Sequence, residues 1–421
     1  MPNRLCPTTL SRMWNCVFMV LLISAGVSLI IYHLMEYSQN KSVFSRQYFH
    51  FMQNLNNSQQ DYGSPLKYFN KVLNSNDSDN DVSYTKNYTI LFWEHGKRML
   101  RRFLRSYGKV EHDPFEFCSV RNCRVQIDDM NGLNVSDAVV FHLHRTQGPD
   151  TLPPYRLPHQ RWIFFTDESP LHTFLVTKKF TMKDYNGYFN WSMTYRSDSD
   201  VPVPYGRTVP LNKAEKAKIN SLPDYAKLKS RLVAVLGSNC GGINKRWQYI
   251  HSLEKYLKVD IYGHCGKLKC PGHFTTDCPI LKEYKFYLAF ENSNCKEYIT
   301  EKMWWNGFHK ESVPVVMGGD KEDYKRLCPP GSYIHVEDFD SPQELANYIK
   351  FLDENNTAYN KYFEWKKNYK VLNEHGYFGS PSLHICHICE ALNFNKSPKT
   401  YYHLEDFWNK NTDCRGSVLP L

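Results

Sequence analysis

Apolar residues fall into runs of two kinds along this chain, and each kind predicts a different element. Val17 to Ile31 is an unbroken stretch of apolar or small residues, widened by Trp14 on one side and by the segment to Met35 on the other. Arg4 and Arg12 precede it and no Lys or Arg follows until Lys41. That asymmetry places the N-terminus in the cytosol and the remainder in a lumen. Residues 14–35 are expected to form a membrane-spanning helix suited to a thin early-secretory bilayer, behind a cytosolic tail of residues 1–13. A cleaved signal peptide is the competing reading, but no A-x-A-like site follows the run. Residues 36–85 show little periodicity, and the stretch from Asn74 to Asp81 is wholly polar. It buries too little to fold and reads as a flexible stem.

From Tyr88 onward the apolar runs are short and continuous, the mark of strands covered on both faces. Tyr88–Trp93, Ala138–Phe141 and Arg161–Phe165 are three such runs in a first α/β unit, residues 86–210. A Lys-rich linker follows at 211–230, broken by Pro223. Strands are then expected at Arg231–Leu236, Val259–Tyr262, Lys285–Phe290, Val313–Met317 and Tyr333–Val336. A helix after the Gly237–Gly242 turn carries Trp247, Ile250, Leu253 and Leu257 on one face, and Ser341-Pro342-Gln343-Glu344 is a capping box opening another. Strand–helix–strand alternation predicts a second parallel, Rossmann-like domain over 231–370, with 371–421 as a closing segment. Two such domains in series leave a cleft between them.

Composition narrows the partners. The net charge is +9, but the basic residues are dispersed and no nucleic-acid motif accompanies them. A small anionic ligand such as a nucleoside diphosphate needs only a few of these charges. Thirteen cysteines point to disulfides in an oxidising compartment. Setting aside Cys6 and Cys16, in the tail and span, eleven remain, so one is unpaired or intermolecular. Zinc is the alternative for His384-x-Cys386-His387-x-Cys389, without a second cysteine pair nearby to complete it. Asn-x-Ser/Thr acceptors stand at Asn40, Asn56, Asn76, Asn87, Asn134, Asn190, Asn355 and Asn395.

The chemistry gathers at predicted strand ends. The strand through Phe290 delivers Glu291 and Asn292 to its carboxyl end, where open α/β sheets bind ligands. The helix expected next puts Tyr298, Glu301 and Lys302 on one face, and its N-terminus with a cation suits a diphosphate. A surface helix with a Glu–Lys pair is the plainer reading. Arg246 stands in the first turn of the helix after Gly237–Gly242; its planar fork can grip two phosphate oxygens, and a solvated arginine is the plainer reading. In the first unit a strand ends in Asp167-Glu168-Ser169-Pro170. A carboxylate there can act as a base, with Asp167 the competitor of Glu168; a solvated turn or a helix N-cap is the structural alternative. His142-Leu143-His144-Arg145 also follows a strand.

The segment FENSNCKEYITEK followed by SVPVVMGG closely resembles the α1,3-fucosyltransferase signature of glycosyltransferase family 10, and the likeness extends over about residues 88–415. The resemblance implies a GT-B fold and inverting transfer of L-fucose from GDP-β-L-fucose to the 3-hydroxyl of a GlcNAc in a glycoprotein glycan. It assigns Asn292, Tyr298, Glu301 and Lys302 to the donor site, with Glu291 beside them. Asn239 and Arg246 match an SN-x6-R element, Tyr262 a nucleotide contact, and Glu168 the base of a Glu-Ser-Pro motif. His142, His144 and Arg145 resemble a His-His-Arg/Trp acceptor motif, with Leu143 and Thr146 as departures. The implied setting is a Golgi membrane, single-pass type II, with the catalytic part in the lumen. Proximity and similar pairs in relatives suggest bridges Cys118–Cys123 and Cys386–Cys389, and neighbouring strand ends would permit Cys240–Cys295. Asp-x-Asp triplets, including Asp198/Asp200, raise the question of a metal. Arg246, Lys302 and helix amides can neutralise a leaving diphosphate, so no essential metal is expected, a divalent ion being at most stimulatory. Two rivals remain: a transferase for another nucleotide sugar, and an inactive membrane-tethered glycan-binding protein of the same fold. Neither the acceptor's position in the glycan nor the oligomeric state is legible.

Overall fold

The continuous apolar runs become strands covered on both faces. In the computed structural model the first sheet comprises β1 (Tyr88–Phe92), β2 (Cys123–Gln126), β3 (Ala138–His142), β4 (Arg161–Thr166), β5 (Trp191–Thr194) and β6 (Val201–Pro202). All are parallel, in the order β2-β1-β3-β4-β5-β6. All five residues of β3 are buried, as are five of the six in β4. β7 (Gly206–Pro210) leaves this sheet and pairs antiparallel with a strand much later in the chain, Tyr369–Asn373. The second sheet is built from β8 (Arg231–Leu236), β9 (Asp260–Tyr262) and β10 (Tyr284–Phe290). After the short β11 (Asn294–Cys295) it is completed by β12 (Val313–Met317) and β13 (Ile334–His335). It too is parallel, in the order β13-β12-β10-β8-β9. β14 (Tyr369–Asn373) is the partner of β7, and β15 (Cys414–Arg415) pairs with β11.

The two sheets repeat one topology. In each, the second strand lies outside the first and the chain then turns back to add the remaining strands on the other side. A crevice opens at the carboxyl ends where the winding reverses, between β1 and β3 and between β8 and β10. Helices α1 (Gly96–Phe103), α2 (Arg246–Leu253), α3 (Pro342–Glu354) and α4 (His384–Phe394) accompany them. Trp247, Ile250 and Leu253 of α2, with Leu257 beyond it, are buried against β8 and β10 residues such as Val233 and Phe290. Ser341 caps α3 as expected, its Oγ accepting from Glu344 N at 3.3 Å, with Pro342 at the first position.

The structure describes residues 86–103, 112–127, 129–174, 177–271 and 275–417. The expected span at 14–35 and stem at 36–85 lie outside them, and no helix among the described residues is long and apolar enough to cross a membrane.

The disulfides differ from the expected pairs. Cys118 bonds Cys386 and Cys123 bonds Cys389, across 268 and 266 residues of chain. Cys386 and Cys389 are three apart on α4, so one helix face presents both to the same neighbouring segment. Their sulfurs are spent there, which removes the zinc reading. Cys240 pairs with Cys265 and Cys295 with Cys414, rather than with each other, and Cys270 pairs with Cys278. Cys328 is free and buried, so five bridges and one thiol account for the eleven.

Candidate active site

The second sheet supplies a seat for an anion. β8 ends in a turn through Gly237 to Asn239, and β9 in Gly263, whose φ of +90° suits glycine. A Cβ on Gly263 would stand 2.6 Å from Gly237 O, so the close approach of these turns also requires glycine. The Cys240–Cys265 bridge joins them a few residues on. Arg246, at the start of α2, ties its buried guanidinium to the turn after β8 and to the end of β10. Nε donates to Gly241 O at 3.2 Å, Nη1 to Phe290 O at 3.0 Å and Nη2 to Asn239 O at 2.7 Å. All three acceptors are neutral carbonyls, and among the described residues no carboxylate comes within ion-pair distance of Arg246. Burial lowers its pKa from the usual value, yet arginine stays charged. A buried cation with no carboxylate in ion-pair reach can receive an external anion.

Lys302 stands beside it on different terms. Glu291 follows β10 and is 1% exposed. Its Oε1 accepts from Thr300 N at 2.8 Å and Thr300 Oγ1 at 2.9 Å, and its Oε2 from Lys302 Nζ at 2.8 Å. Burial alone would lower the pKa of Lys302, but Glu291 and Glu301 overcome it and raise it, so the ammonium persists. Asn244, a buried residue that sequence reasoning passed over, donates to Glu291 O at 3.0 Å and to Asn294 Oδ1 at 2.9 Å. Its only signal was its place inside the SN-x6-R element.

Tyr298 does not share a helix face with Glu301 and Lys302 as expected. Glu297 turns the chain at a φ of +56°, residues 298–300 are non-helical, and a π-helix runs over Lys302–His309. Thr300's amide and hydroxyl are both held by Glu291, which delays the helix by several residues. Tyr298 is thereby free to donate its hydroxyl to Glu168 Oε2 at 3.1 Å.

The first sheet contributes two adjacent carboxylates with opposite fates. Asp167, just past β4, takes Arg102 Nη1 at 2.6 Å and has His142 Nε2 and His375 Nε2 each at 3.5 Å. Burial would raise its pKa, but Arg102 and the histidines hold it well below the usual carboxylate range. Among the described residues, the Glu168 carboxylate receives Tyr298's hydroxyl and Asn292 Nδ2, the latter at 3.5 Å. Burial, then the charge of Asp167, push it up to about 7, against the pull of Lys302 and these two hydrogen bonds. Ser293 Oγ donates to Ser169 Oγ at 2.8 Å, stitching the turns that carry Asn292 and Glu168.

Between them lies a cavity of about 630 Å³. Of the sequence-predicted residues, Glu168, Asn239, Arg246, Asn292, Tyr298, Glu301 and Lys302 line it. Tyr262 does not: its hydroxyl meets the Tyr284 hydroxyl at 2.9 Å inside the core, and Gly263 and His264 line the wall instead. Glu291 stands behind the wall and acts on it through Lys302. His142, His144 and Arg145 are also off the lining; His142 stacks on Phe165 at 4.9 Å and His144 Nδ1 is 3.2 Å from His172 O. Asp198 and Asp200 diverge. Asp198 takes Arg196 and Lys296, while Asp200 takes Ser192, Lys399 and Tyr401. Among the described residues no group of three or more His, Cys, Asp or Glu is placed to hold a metal ion.

Fold and cavity together define an α/β protein with two parallel sheets and an anion seat facing a carboxylate. Two family models match it: "Fucosyltransferase, N-terminal" over residues 85–206 and "Glycosyltransferase family 10 (fucosyltransferase) C-term" over residues 226–408. The chain belongs to glycosyltransferase family 10. Glycoprotein 3-alpha-L-fucosyltransferase A of Drosophila melanogaster is 42% identical over 230 residues, 53% of this chain and 44% of that protein. The 4-galactosyl-N-acetylglucosaminide 3-alpha-L-fucosyltransferase FUT6 of Homo sapiens is 40% identical over 235 residues, 55% of this chain and 62% of that protein. FUT5 of Hylobates lar is 38% identical over 291 residues, 68% of this chain and 73% of that protein. The matched region thus spans less than two thirds of the first two relatives. A crystal structure of an alpha1,3-fucosyltransferase superposes with a TM-score of 0.49 at 18% identity, covering 79% of this chain and 96% of the other.

Proposed function

We propose that the chain is an inverting α1,3-fucosyltransferase of GT-B architecture, moving L-fucose from GDP-β-L-fucose to the 3-hydroxyl of GlcNAc in a glycoprotein glycan. Glu168 takes the proton of the attacking hydroxyl, whose oxygen bonds to C1 of fucose on the face opposite GDP. The C1–O bond to phosphate breaks, GDP departs, and the β-linked donor becomes an α-fucoside through an oxocarbenium-like state. Arg246 and Lys302 receive the growing charge on the diphosphate, their geometry preset before the reaction. Two fixed cations supply there what a divalent ion supplies in metal-dependent transferases. Tyr298 and Asn292 aim the Glu168 carboxylate. β3 and β4 are parallel neighbours, so His142, His144 and Arg145 leave the sheet on the same edge as Glu168, which suits an acceptor approaching from that side.

The observation that carries this reading is the facing of Glu168, pushed up to about 7, with the un-neutralised Arg246 and with Lys302 across one cavity. Five disulfides among the described residues favour an oxidising lumen, consistent with residues 14–35 as a Golgi type II anchor. The deciding assay offers several radiolabelled nucleotide sugars to core and antennal glycans and places products by mass spectrometry. Transfer only from GDP-fucose is expected. Glu168→Gln is expected to abolish turnover while GDP still binds; near-normal transfer by that variant removes Glu168 as the base. Glycan binding indifferent to GDP supports a lectin instead.

A further inference from the structure

The turn that frames Arg246 is held by a bond of its own. Residues Ser238 to Ile243 leave the carboxyl end of β8 without entering helix or strand, and all six are exposed. Gly241 and Gly242 lie among them, so the free segment has many conformations to lose. Yet this segment supplies two of the three carbonyls that aim the Arg246 guanidinium. They belong to Asn239 and Gly241, the residues on either side of Cys240. Asn239 O also accepts from Trp247 Nε1 at 2.9 Å, and Ser238 and Asn239 line the cavity. The third acceptor, Phe290 O, stands at the buried end of β10. Cys240 is bonded to Cys265, 25 residues along and just past β9, and Cys265 N donates to Gly237 O at 3.0 Å. The bridge thus ties the middle of an exposed turn to the neighbouring strand end.

This bridge also differs from the others in its surroundings. Cys240 is exposed and Cys265 half-buried. Each of the other four bridges among the described residues has at least one buried cysteine: Cys118 with Cys386 in one, and Cys389, Cys278 and Cys295 in the rest. Thiol–disulfide exchange requires a thiolate to reach a sulfur, so Cys240–Cys265 is the bridge most open to attack. Opening it releases a surface turn rather than a buried layer.

We propose that the Cys240–Cys265 bridge is the positioning clamp of the anion seat, and that a dithiol which opens it weakens binding of the donor's diphosphate. The proposal rests on reading that seat as the GDP-fucose site. With the bridge closed, Asn239 O and Gly241 O hold Nη2 and Nε, and the guanidinium meets the anion already oriented. One thiolate of the dithiol attacks a bridge sulfur, forming a mixed disulfide and releasing one cysteine thiolate. Its second thiol then displaces the other cysteine. The protein takes up two electrons and two protons, and the reductant leaves as its own disulfide. With the bridge open, the two carbonyls lose their fixed places, and binding must order the turn again at a cost in affinity.

The test compares the parent protein, treated with a dithiol under native conditions and then alkylated, with the Cys240→Ser/Cys265→Ser double variant. Alkylated cysteines by peptide mass spectrometry, GDP affinity by calorimetry well below the melting temperature, donor and acceptor KM, and Tm are the readouts. Cys240 and Cys265 are expected to be alkylated before the cysteines of the other four bridges. GDP affinity is expected to fall about tenfold and donor KM to rise as much, with acceptor KM unchanged. The double variant is expected to share that loss and to ignore the reductant. Reoxidation of reduced, unalkylated parent is expected to restore GDP affinity, which decides the matter if the double variant does not fold. A double variant with lower Tm that binds GDP like the parent leaves the bridge a stabilising role alone and overturns the proposal. Earlier alkylation at another bridge, or loss of GDP affinity while Cys240 and Cys265 remain bonded, overturns it equally. A parent protein that binds no GDP before reduction has a different signature and removes the underlying reading.

Discussion

Asp167 and Glu168 are neighbours of like chemistry, and their surroundings drive them apart. Arg102 keeps the Asp167 carboxylate ionised and engaged, which makes it a poor proton acceptor. Glu168, pushed up to about 7, binds a proton well enough to remove one from a hydroxyl and gives it up near neutrality. As a base it must start ionised, so kcat/KM is expected to fall with decreasing pH along a limb centred near 7. A pH–rate profile flat down to pH 5 would discount it. The same shift has a sign for stability. The folded-state value lies above the ordinary 4.5, so the fold prefers Glu168 protonated. Below pH 4.5 the group is protonated folded or unfolded and stability is unaffected; the destabilisation grows as pH rises from 4.5 and levels off above 7. Glu168→Gln is therefore expected to melt higher than the parent at pH 8 and like it at pH 4.5. The gain is at most about 3 kcal/mol, less after screening by cavity water. Sequence alone left these two acids as competitors, because the decisive partner, Arg102, is 65 residues away.

At the scale of elements, strands and capped helices were legible and turns were not. Continuous apolar strings such as Arg161–Phe165, short and bounded by turn signals, read as doubly covered strands and are. β2 (CRVQ) and β5 (WSMT) were missed, being short and mixed in polarity. The helix after β10 began late because Glu291 captured Thr300, a contact that no local periodicity reveals. α4 shows a further effect. Its two bridges close nearly the same loop, of 268 and 266 residues. Chain-entropy reasoning assigns about 5 kcal/mol to closing such a loop once, and little to closing it again. Replacing Cys118 and Cys386 by Ala is expected to lower Tm slightly, and replacing all four cysteines far more than twice as much. Equal, additive losses measured by calorimetry would contradict this.

For the whole molecule, the packing of distant segments decides which surface the environment meets. Asn190 heads an acceptor triplet, yet it is only 6% exposed. Its Oδ1 accepts from Trp162 N at 2.8 Å and its Nδ2 donates to Lys399 O at 2.8 Å, tying β4 to the C-terminal segment. Asn87 and Asn134 are exposed. Protein secreted from animal cells is expected to carry N-glycans at Asn87 and Asn134 and none at Asn190, read by glycopeptide mass spectrometry. Asn190→Gln is expected to cost about 1–3 kcal/mol of stability, since it strands buried partners, without removing a glycan. A glycan found on Asn190 would refute the burial argument.

The sequence by itself determined the parallel α/β character, the strand ends that carry Glu168 and Asn292, and the family signature that includes Lys302. These are local properties, set by apolar runs and by short stretches of contiguous residues. Tertiary structure alone decided which cysteines meet, which of two adjacent acids is held ionised, and that Tyr262 faces the core. Most of those outcomes depend on groups that no local pattern links, some of them hundreds of residues apart, and a carboxylate's charge or a thiol's partner follows from what surrounds it in space.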